Sequence, residues 1–152
     1  MGASTQDITF RHVAEEYLPL ILAWRSDREV MKYLPSAPEK PTWEVHERWF
    51  SEKMPKAAIY AVVAYKGRPV GTFHCNQDGE IGILIGEKDL WGEGVASVAL
   101  EKALVGLKRL PATQDLKLFA VIHPENIASQ HVFTKNGFVK SGKEARNKQE
   151  EW

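Results

Sequence analysis

Two glycines before a predicted helix form the segment of this chain best suited to bind a phosphate group. The segment reads Trp91-Gly92-Glu93-Gly94-Val95-Ala96-Ser97. Glycine lets the backbone turn tightly, and the first amides of a helix have no partner within the helix and lie at the positive end of its dipole. This arrangement favours phosphate binding, but the same glycines are explained if they only turn the chain into the helix.

The segment differs from the two common nucleotide-binding signatures. No Lys-Ser or Lys-Thr pair follows the glycines, as a Walker loop requires, and Ser97 stands where the dinucleotide fingerprint has its third glycine. A nucleotide-phosphate binder stays open as an interpretation, although the missing lysine and the antiparallel strands predicted before the loop oppose it.

A second polar motif lies nearer the C-terminus. It begins with His123-Pro124-Glu125-Asn126-Ile127-Ala128-Ser129 and ends with Phe133-Thr134-Lys135-Asn136-Gly137-Phe138. Asn126 or a neighbour can cap a short helix, and Gly137 can take the left-handed conformation at the end of that helix. These structural roles explain both residues without a ligand.

Strands are predicted wherever apolar residues alternate with polar ones between turn residues. The predicted strands cover 7–13, 58–65, 70–75, 80–85 and 116–122, and a last strand begins over 138–141. The second, third and fourth form an antiparallel meander, and the strand over 116–122 is apolar enough to be central.

Helices are predicted where apolar residues recur at three- and four-residue steps. They cover 14–24, with Pro19 in the first turn, 42–54 with Thr42 as cap and Val45, Trp49 and Phe50 as the apolar side, 95–110, and 127–136. A capping box of Ser26 and Glu29 predicts another short helix carrying Val30, Met31, Tyr33 and Leu34. Pro35, Pro38 and Pro41 then predict a loop.

Composition indicates one ordinary globular domain. The 152 residues are 43% apolar and 26% charged, which suits a single domain over 1–152 with a polar, mobile lead-in at 1–6. Twenty basic residues balance twenty acidic ones, and no apolar stretch is long enough to span a bilayer, so we expect no nucleic-acid or membrane partner.

The single cysteine, Cys75, favours a reducing compartment such as the cytoplasm. No histidine has metal-ligand spacing with acids, so we expect no metal.

Taken together, the two motifs resemble the GNAT superfamily of acetyl-CoA-dependent N-acetyltransferases. The family pattern Gln/Arg-x-x-Gly-x-Gly/Ala is met by Gly94 and Ala96, with Trp91 in the Gln/Arg position. The second pattern, Asn-x-x-Ser-x-x-x-Tyr-x-Lys-x-Gly-Phe, is met by Asn126, Ser129, Lys135, Gly137 and Phe138. Trp24-Arg25-Ser26-Asp27, with Val30 and Tyr33, is similar to the branch that contains ribosomal-protein N-terminal and amino-sugar acetyltransferases.

The resemblance implies a single α/β domain of the GNAT type. Its sheet would be mixed but mostly antiparallel, with splayed fourth and fifth strands and helices on both faces. Acetyl-CoA would be the co-substrate, with the amides of residues 92–97 around its pyrophosphate and the backbone of Ile83, Leu84 and Ile85 against its pantetheine. Asn126, Ser129 and Phe133 complete the implied coenzyme site. Gly82 would either admit a ligand or serve packing alone.

Glu80 is our first choice for the base that takes a proton from the amine, because many family members carry Glu followed by Ile at this place. A solvated surface carboxylate is the alternative interpretation, and His74 and His123 are the other candidate bases. Phe133 occupies the position where the family often has a tyrosine acid. A thiol with a pKa near 8.5 leaves readily as thiolate, so water can supply the proton.

The resemblance places the acceptor pocket in the first third of the chain, with Trp24, Arg25 and Tyr33 as candidate substrate-binding residues. Arg25 is the best indicator, because a guanidinium can recognise a carboxylate or a hydroxylated sugar, whereas helical spacing also explains Trp24 as core. The expected acceptor is a protein N-terminus, an amino sugar or another small amine, attacked directly in a ternary complex by a monomer or homodimer. A non-catalytic acyl-CoA-binding sensor is the alternative.

Overall fold

Four antiparallel strands, adjacent in sequence order, form the central sheet. The computed structural model describes residues 2–33, 42–141 and 150–152. The strands are β1 (Ile8–His12), β2 (Ile59–Tyr65), β3 (Arg68–Cys75) and β4 (Ile81–Ile85). The turn between β2 and β3 places Lys66 at φ 50° and Gly67 at φ 81°, as a two-residue hairpin loop requires. The predicted meander is confirmed.

Helices cover both faces of this sheet. They are α1 (Leu18–Ser26), α2 (Trp43–Arg48), α3 (Val95–Arg109) and α4 (Ile127–Lys135). Pro19 lies in the first turn of α1, where its missing N–H costs nothing. The chain after α2 continues through a π turn at Trp49–Lys53 and a 3₁₀ turn at Met54–Lys56. No helix in these described ranges is long and apolar enough to cross a membrane.

Alternation along the strands divides the core into two parts. Val63, Phe73 and Ile81 pack with Leu100 of α3 and Phe133 of α4. On the opposite face, a smaller cluster joins Val13 and Val62 to two side chains of α1, Ile21 and Trp24. The α1 and α2 side of the sheet is called the acceptor face below.

A fifth strand leaves the sheet instead of extending it. The N–H of Ile81 donates to the Phe119 carbonyl at 2.8 Å, and the N–H of Phe119 donates to the Gly79 carbonyl at 3.1 Å. Glu80 and Phe119 thus form one parallel bridge, and beyond it no backbone hydrogen bond joins the two strands in the described part of the chain. The two strand edges therefore diverge, as expected for splayed strands.

Two strand predictions need correction. Of the central strand expected over 116–122, only β5 (Val121–Ile122) is a strand. The side chains of this segment are apolar because they pack on the main core, but its backbone does not continue along the central sheet. Its partner is β6 (Glu150–Glu151), and Trp152 exchanges two backbone hydrogen bonds with Ala120 at 2.8 and 3.0 Å. The strand expected from residue 138 is absent over 138–141, where the Ser141 N–H donates to the Glu151 carbonyl at 3.0 Å.

The start of α2 follows the prediction, but the segment after α1 does not. Thr42 Oγ1 caps α2 by accepting from the Val45 N–H at 3.3 Å. Val45 is exposed, however, and His46 is the buried residue of α2. The segment 28–33 forms turns, and the predicted helix residue Leu34 and the three prolines lie outside the described residues.

The cap after α1 also belongs to a different residue from the one predicted. Asp27 Oδ1 accepts from the Glu29 N–H at 2.9 Å and the Val30 N–H at 3.4 Å. The hydroxyl of Ser26 instead donates back to the Leu22 carbonyl at 2.6 Å. Asp and Ser cap equally well in general, so the position of the last helical residue decides which one is used.

Residues 2–6 of the polar lead-in lie against the domain. Ser4 caps a single turn at Thr5–Asp7, and the side chain of Ala3 packs on the main core. The N–H of Ala3 donates to the Glu93 carbonyl at 3.1 Å. The lead-in therefore reaches the loop before α3.

Candidate functional site

The loop before α3 has the backbone shape expected of an anion-binding segment. Gly92 lies at φ 83° and Gly94 at φ 82°, the left-handed region that glycine enters without steric cost. A Cβ added at either position would meet nothing within 4 Å. The backbone conformation, rather than crowding, therefore explains these two glycines.

Some N–H groups of this loop donate to carbonyls of the loop, and others have no backbone acceptor among the described residues. The Val98 N–H makes the first helical bond, to the Gly94 carbonyl at 3.1 Å. In the described part of the chain, the N–H groups of Gly92 and of residues 94–97 have no backbone acceptor. The Glu93 N–H donates to the Leu90 carbonyl at 3.3 Å. Contrary to the prediction, the Glu93 amide is therefore not open to a phosphate group.

Trp91 fastens the loop to the end of β4. Its Nε1 donates to the Ile85 carbonyl at 2.9 Å, and its side chain is 42% exposed beside Gly92. The indole therefore occupies the last acceptor on that edge of β4.

Among the described residues, the edge of β4 that faces β5 carries backbone N–H groups with no backbone acceptor beyond Ile81. The Glu80 carbonyl accepts from Asn76 and the Gly86 N–H donates to Val70, so even-numbered residues point their N–H and C=O groups at β3. In an antiparallel ladder the intervening residues point the other way, as the bond from Ile81 to Phe119 shows. Ile83 and Ile85 therefore direct their backbone N–H groups into the gap that opens between the diverging strands β4 and β5.

The same alternation corrects one predicted site residue. Leu84 is even-numbered and pairs with Thr72 of β3, so its backbone is directed away from the gap. Its side chain packs with the smaller core cluster. Ile83 and Ile85, but not Leu84, offer a backbone edge to a ligand.

The second motif fixes α4 against α3. Asn126 Oδ1 accepts from the Ser129 N–H at 3.1 Å, which confirms the predicted cap. Asn136 Nδ2 donates to the Ser97 carbonyl at 3.1 Å and to the Val132 carbonyl at 2.9 Å. This bridge to the first turn of α3 was not predicted, because an asparagine at a helix end is explained locally and the sequence gives no sign of its distant partner.

Phe133 belongs to the main core. It is buried, and its ring meets Phe138 edge-on with 5.0 Å between the centroids. This core position does not support the predicted role of Phe133 in the coenzyme site.

Glu80 lies at the point where the two strands diverge. It forms the bridge to Phe119, its N–H donates to Asp78 Oδ1 at 3.0 Å, and its side chain is half-buried. Alternation places that side chain on the acceptor face with Gly82 and Leu84. Its position suits a group that acts at the narrow end of the gap.

His74 fills the space above Gly82. A Cβ at Gly82 would lie 2.4 Å from His74 Cε1, and the His74 ring also stacks on Tyr60 with 5.2 Å between ring centroids. Packing, not a ligand, therefore explains Gly82. Burial, with a smaller contribution from the positive charge of Arg25, lowers the pKa of His74 to about 4, so this imidazole is neutral at pH 7 and weakly basic.

A Gly82→Ala variant should be destabilised by about 1–3 kcal/mol, because the new methyl group must displace the His74 ring from its stack on Tyr60. Most of that cost should disappear when the same change is made in a His74→Ala background. Thermal or denaturant unfolding of the two single variants and the double variant measures the coupling. Equal costs of Gly82→Ala in both backgrounds would show that the two residues do not compete for space.

One ring nitrogen of His123 already accepts a hydrogen bond. Its Nδ1 accepts from the Glu125 N–H at 3.1 Å, so the neutral ring carries its proton on Nε2. The ring lies 5.0 Å from that of Tyr33. Protonating Nδ1 would break the turn, which makes His123 a poorer candidate base than Glu80.

The three residues predicted to contact an acceptor have different surroundings. Trp24 is 3% exposed, and a Cβ at Gly86 would lie 2.1 Å from its Cγ, so its indole belongs to the core. Arg25 places Cζ 4.9 Å from the centroid of the Trp49 ring, on the acceptor face. Tyr33 reaches the end of β5 at His123.

Four rings form a continuous row on the acceptor face, which we call the aromatic row: His46, Trp49, Tyr60 and His74. Neighbouring centroids are 5.2, 5.3 and 5.2 Å apart. His46 Nε2 lies 2.9 Å from the Leu18 carbonyl and therefore acts as the donor. The sequence spacing indicates only the His46 and Trp49 pair, because the other two rings meet through strand pairing whose register the sequence does not reveal.

Ion pairs connect the segment after α1 to the loop after β4. Lys88 Nζ lies 2.8 Å from Asp27 Oδ2 and 3.2 Å from Glu29 Oε2. These side chains are partly exposed, so each pair contributes little to stability. The pairs nevertheless join the two segments that border the open end of the gap.

Comparisons with known proteins agree with this geometry. The family model described as "Acetyltransferase (GNAT) domain" matches residues 7–139. An uncharacterised protein of Methanocaldococcus jannaschii is 30% identical over 151 residues, covering 95% of this chain, and the chain spans 30% of that relative's length. A crystallised domain from M. jannaschii superposes with a TM-score of 0.82 at 29% identity, covering 95% of this chain and 97% of that one. Spermidine N-acetyltransferase from Vibrio cholerae, crystallised with CoA and spermine, superposes with a TM-score of 0.75 at 19% identity, covering 96% and 92%.

Proposed function

Because the chain belongs to the GNAT family of acetyltransferases, we propose that it transfers the acetyl group of acetyl-CoA to a primary amine by direct attack. One observation carries the proposal. The free backbone edge of β4 leads directly to the open amides at the start of α3, so one extended ligand with a phosphate group can use both.

The two parts of that path suit the two parts of the coenzyme. The amides of residues 94–97 would hold the pyrophosphate, with the left-handed glycines keeping side chains out of its way. The pantetheine would pair with the β4 edge at Ile83, and the Trp91 bond to the Ile85 carbonyl would end that edge. The CoA in the V. cholerae neighbour, which has the same fold, supports this assignment.

The transfer step needs an electrostatic partner for the thioester oxygen and a proton acceptor for the amine. The amine nitrogen bonds to the thioester carbon as the carbon–sulfur bond breaks, and a backbone N–H of the β4 edge would hold the charge that develops on oxygen. Glu80 would take the proton that the amine loses, through a water molecule. The thiolate would leave and collect its proton from solvent.

A covalent acetyl-enzyme is disfavoured because the single cysteine of the chain is poorly placed. Cys75 is fully buried in the main core, and burial together with the charge of Asp78 raises the pKa of its thiol. A buried thiol of raised pKa is a poor nucleophile. We therefore propose that both substrates are bound together when the acetyl group moves.

Initial rates measured over a grid of acetyl-CoA and amine concentrations test this order of events. Direct transfer in a ternary complex predicts reciprocal plots that intersect. Parallel lines, together with a protein mass increased by one acetyl group after incubation with acetyl-CoA alone, would show an acetyl-enzyme intermediate instead.

A Phe133→Tyr variant should show little or no increase in turnover, because a thiolate leaves without a dedicated acid. The new hydroxyl would also enter the core beside Phe138, which should cost about 1–3 kcal/mol of stability unless it finds a partner. Turnover and thermal unfolding of the variant check both points. A rise of about a hundredfold would show that proton donation limits the native enzyme.

The acceptor proposed for this chain is a protein N-terminus, an amino sugar or another small amine. The V. cholerae neighbour is named for its action on spermidine, a small amine, which supports the general class. The resemblance of Trp24-Arg25-Ser26-Asp27 to the branch of ribosomal-protein and amino-sugar acetyltransferases supports the first two alternatives.

A further inference from the structure

One side-chain amide joins the end of α4 to the first turn of α3. Asn136 Nδ2 donates to the Ser97 carbonyl at 3.1 Å and to the Val132 carbonyl at 2.9 Å. Both neighbours are hydrogen-bond acceptors, so the amide nitrogen, and not the amide oxygen, belongs at this place. Because both hydrogens of the amide are used, the direction of the side chain is fixed.

The backbone of Asn136 is fixed as well, because it closes the end of α4. Its N–H donates to the Phe133 carbonyl at 3.0 Å. The next residue, Gly137, has φ 87°, and its N–H donates to the Thr134 carbonyl at 3.0 Å. The amide that reaches α3 is therefore carried by a hydrogen-bonded helix end.

Two peptide units connect the Ser97 carbonyl to an open amide of the α3 loop. The Ser97 carbonyl shares a planar peptide unit with the Val98 N–H, which donates to the Gly94 carbonyl at 3.1 Å. The Gly94 carbonyl in turn shares a peptide unit with the Val95 N–H, which has no backbone acceptor among the described residues. A continuous chain of hydrogen bonds thus runs from Asn136 to an N–H that can meet a phosphate group.

Donation at one end of this chain strengthens the donor at the other end. Each hydrogen bond polarises the peptide unit that accepts it, so the N–H of that unit becomes more positive. The same bonds fix the planes of the two peptide units, and with them the direction of the Val95 N–H. A donor that is fixed before its ligand arrives lowers the cost of ordering the site on binding.

Gln130 shows what a side-chain amide of α4 does without a partner in α3. Its Nε2 donates to the Pro124 carbonyl at 2.8 Å and to the His123 carbonyl at 3.5 Å. Both acceptors lie in the segment before α4. Gln130 and Asn136 therefore each join α4 to two backbone carbonyls, but of the two it is Asn136 whose amide reaches the α3 loop.

We propose that Asn136 is a positioning residue for the coenzyme, because it orients and polarises the amides that would hold the pyrophosphate. The inference rests on the proposed acetyl transfer and names a residue that prepares the α3 loop for acetyl-CoA. Asn136 acts through α3 rather than by touching the coenzyme. Its effect should therefore depend on the phosphate group of the ligand.

The test compares acetyl-CoA with two shorter ligands that differ from each other only in a phosphate group, S-acetylphosphopantetheine and S-acetylpantetheine. Asn136→Leu keeps the approximate size of the side chain and removes both donors. It should weaken the binding of the two phosphorylated ligands by about fivefold or more, the effect of one lost hydrogen bond, and that of S-acetylpantetheine by less than about twofold. Titrations followed by the amide NMR spectrum measure all three dissociation constants.

Gln130→Met is the matched control, because it removes a side-chain amide with two carbonyl partners from the same helix. It should leave the binding of all three ligands unchanged. Asn136→Ala removes the donors without adding an apolar group and should show the same loss as Asn136→Leu, so it supplies the test if Asn136→Leu does not fold. Thermal unfolding compares the stability of the variants.

The native protein decides whether the coenzyme path itself is correct. If it binds S-acetylphosphopantetheine no more tightly than S-acetylpantetheine, the loop does not hold phosphate, and the proposed coenzyme site fails together with the inference. If the native protein prefers the phosphorylated ligand and the folded Asn136 variants keep that preference, the coenzyme site stands and the role of Asn136 is overturned. An equal loss in Gln130→Met would also overturn it, because the effect would then belong to α4 as a whole.

Discussion

A Gly94→Val variant should bind acetyl-CoA at least about tenfold more weakly while remaining folded. Gly94 lies at φ 82°, where a β-branched residue is strained, so the backbone must rotate and turn the following amides away from their present direction. Losing one charge-assisted hydrogen bond to phosphate corresponds to about tenfold or more in affinity. Calorimetric titration with acetyl-CoA measures the loss.

Gly67→Val is the matched control for that experiment. Gly67 has φ 81° and, like Gly94, would place a Cβ where no atom lies within 4 Å, but it lies in the β2–β3 turn. Both variants should lose comparable stability from backbone strain, and only Gly94→Val should lose coenzyme affinity. Equal affinities in the two variants would remove the α3 loop from the coenzyme site.

Glu80→Gln should lower turnover by roughly a hundredfold or more near neutral pH and leave acetyl-CoA affinity unchanged. Glutamine keeps the shape of the side chain and removes its ability to accept a proton. The loss should shrink as pH rises, because a lysine-like amine with a pKa near 10.4 then loses its proton to solvent unaided. An α-amine with a pKa near 7.7–8.0 needs a base less, so the size of the loss also reports the kind of acceptor.

Turnover measured from about pH 6 to about pH 10 on the native protein and the variant provides the check. Glu101→Gln, on the exposed side of α3, is the control for losing a negative charge elsewhere and should behave like the native protein. If the profiles of Glu80→Gln and the native protein coincide, Glu80 is a surface carboxylate. The low pKa of His74 and the committed Nδ1 of His123 make either histidine a weak replacement.

The parts of the fold that depend on local pattern were predicted from the sequence. The apolar stripe from Val95 to Leu107 predicted α3, and turn residues placed β2, β3 and β4 within one or two residues of their observed bounds. The Asn126 cap and the left-handed Gly137 followed from residue type alone. In each case the signal lies within a few residues of the feature it explains.

Features that depend on distant partners were not predicted correctly. The apolar run over 116–122 looks like a central strand, but which strand it joins depends on the pairing of Ala120 with Trp152. For Gly82 the sequence left packing and the approach of a ligand equally open, and only the β3–β4 register, which places His74 over it, favours packing. The aromatic row likewise needs the register of β2 with β3 before Tyr60 and His74 become neighbours.

The most direct test of acetyl transfer is to incubate the protein with acetyl-CoA and a panel of primary amines, counting released thiol and acetylated amine in the same sample. Thiol is measured by colour reaction and acetylated amine by mass spectrometry. We predict one acetylated amine for each thiol released, with both absent when the amine is omitted. Binding of acetyl-CoA without thiol release from any amine would contradict acetyl transfer and identify the chain as a non-catalytic acyl-CoA sensor.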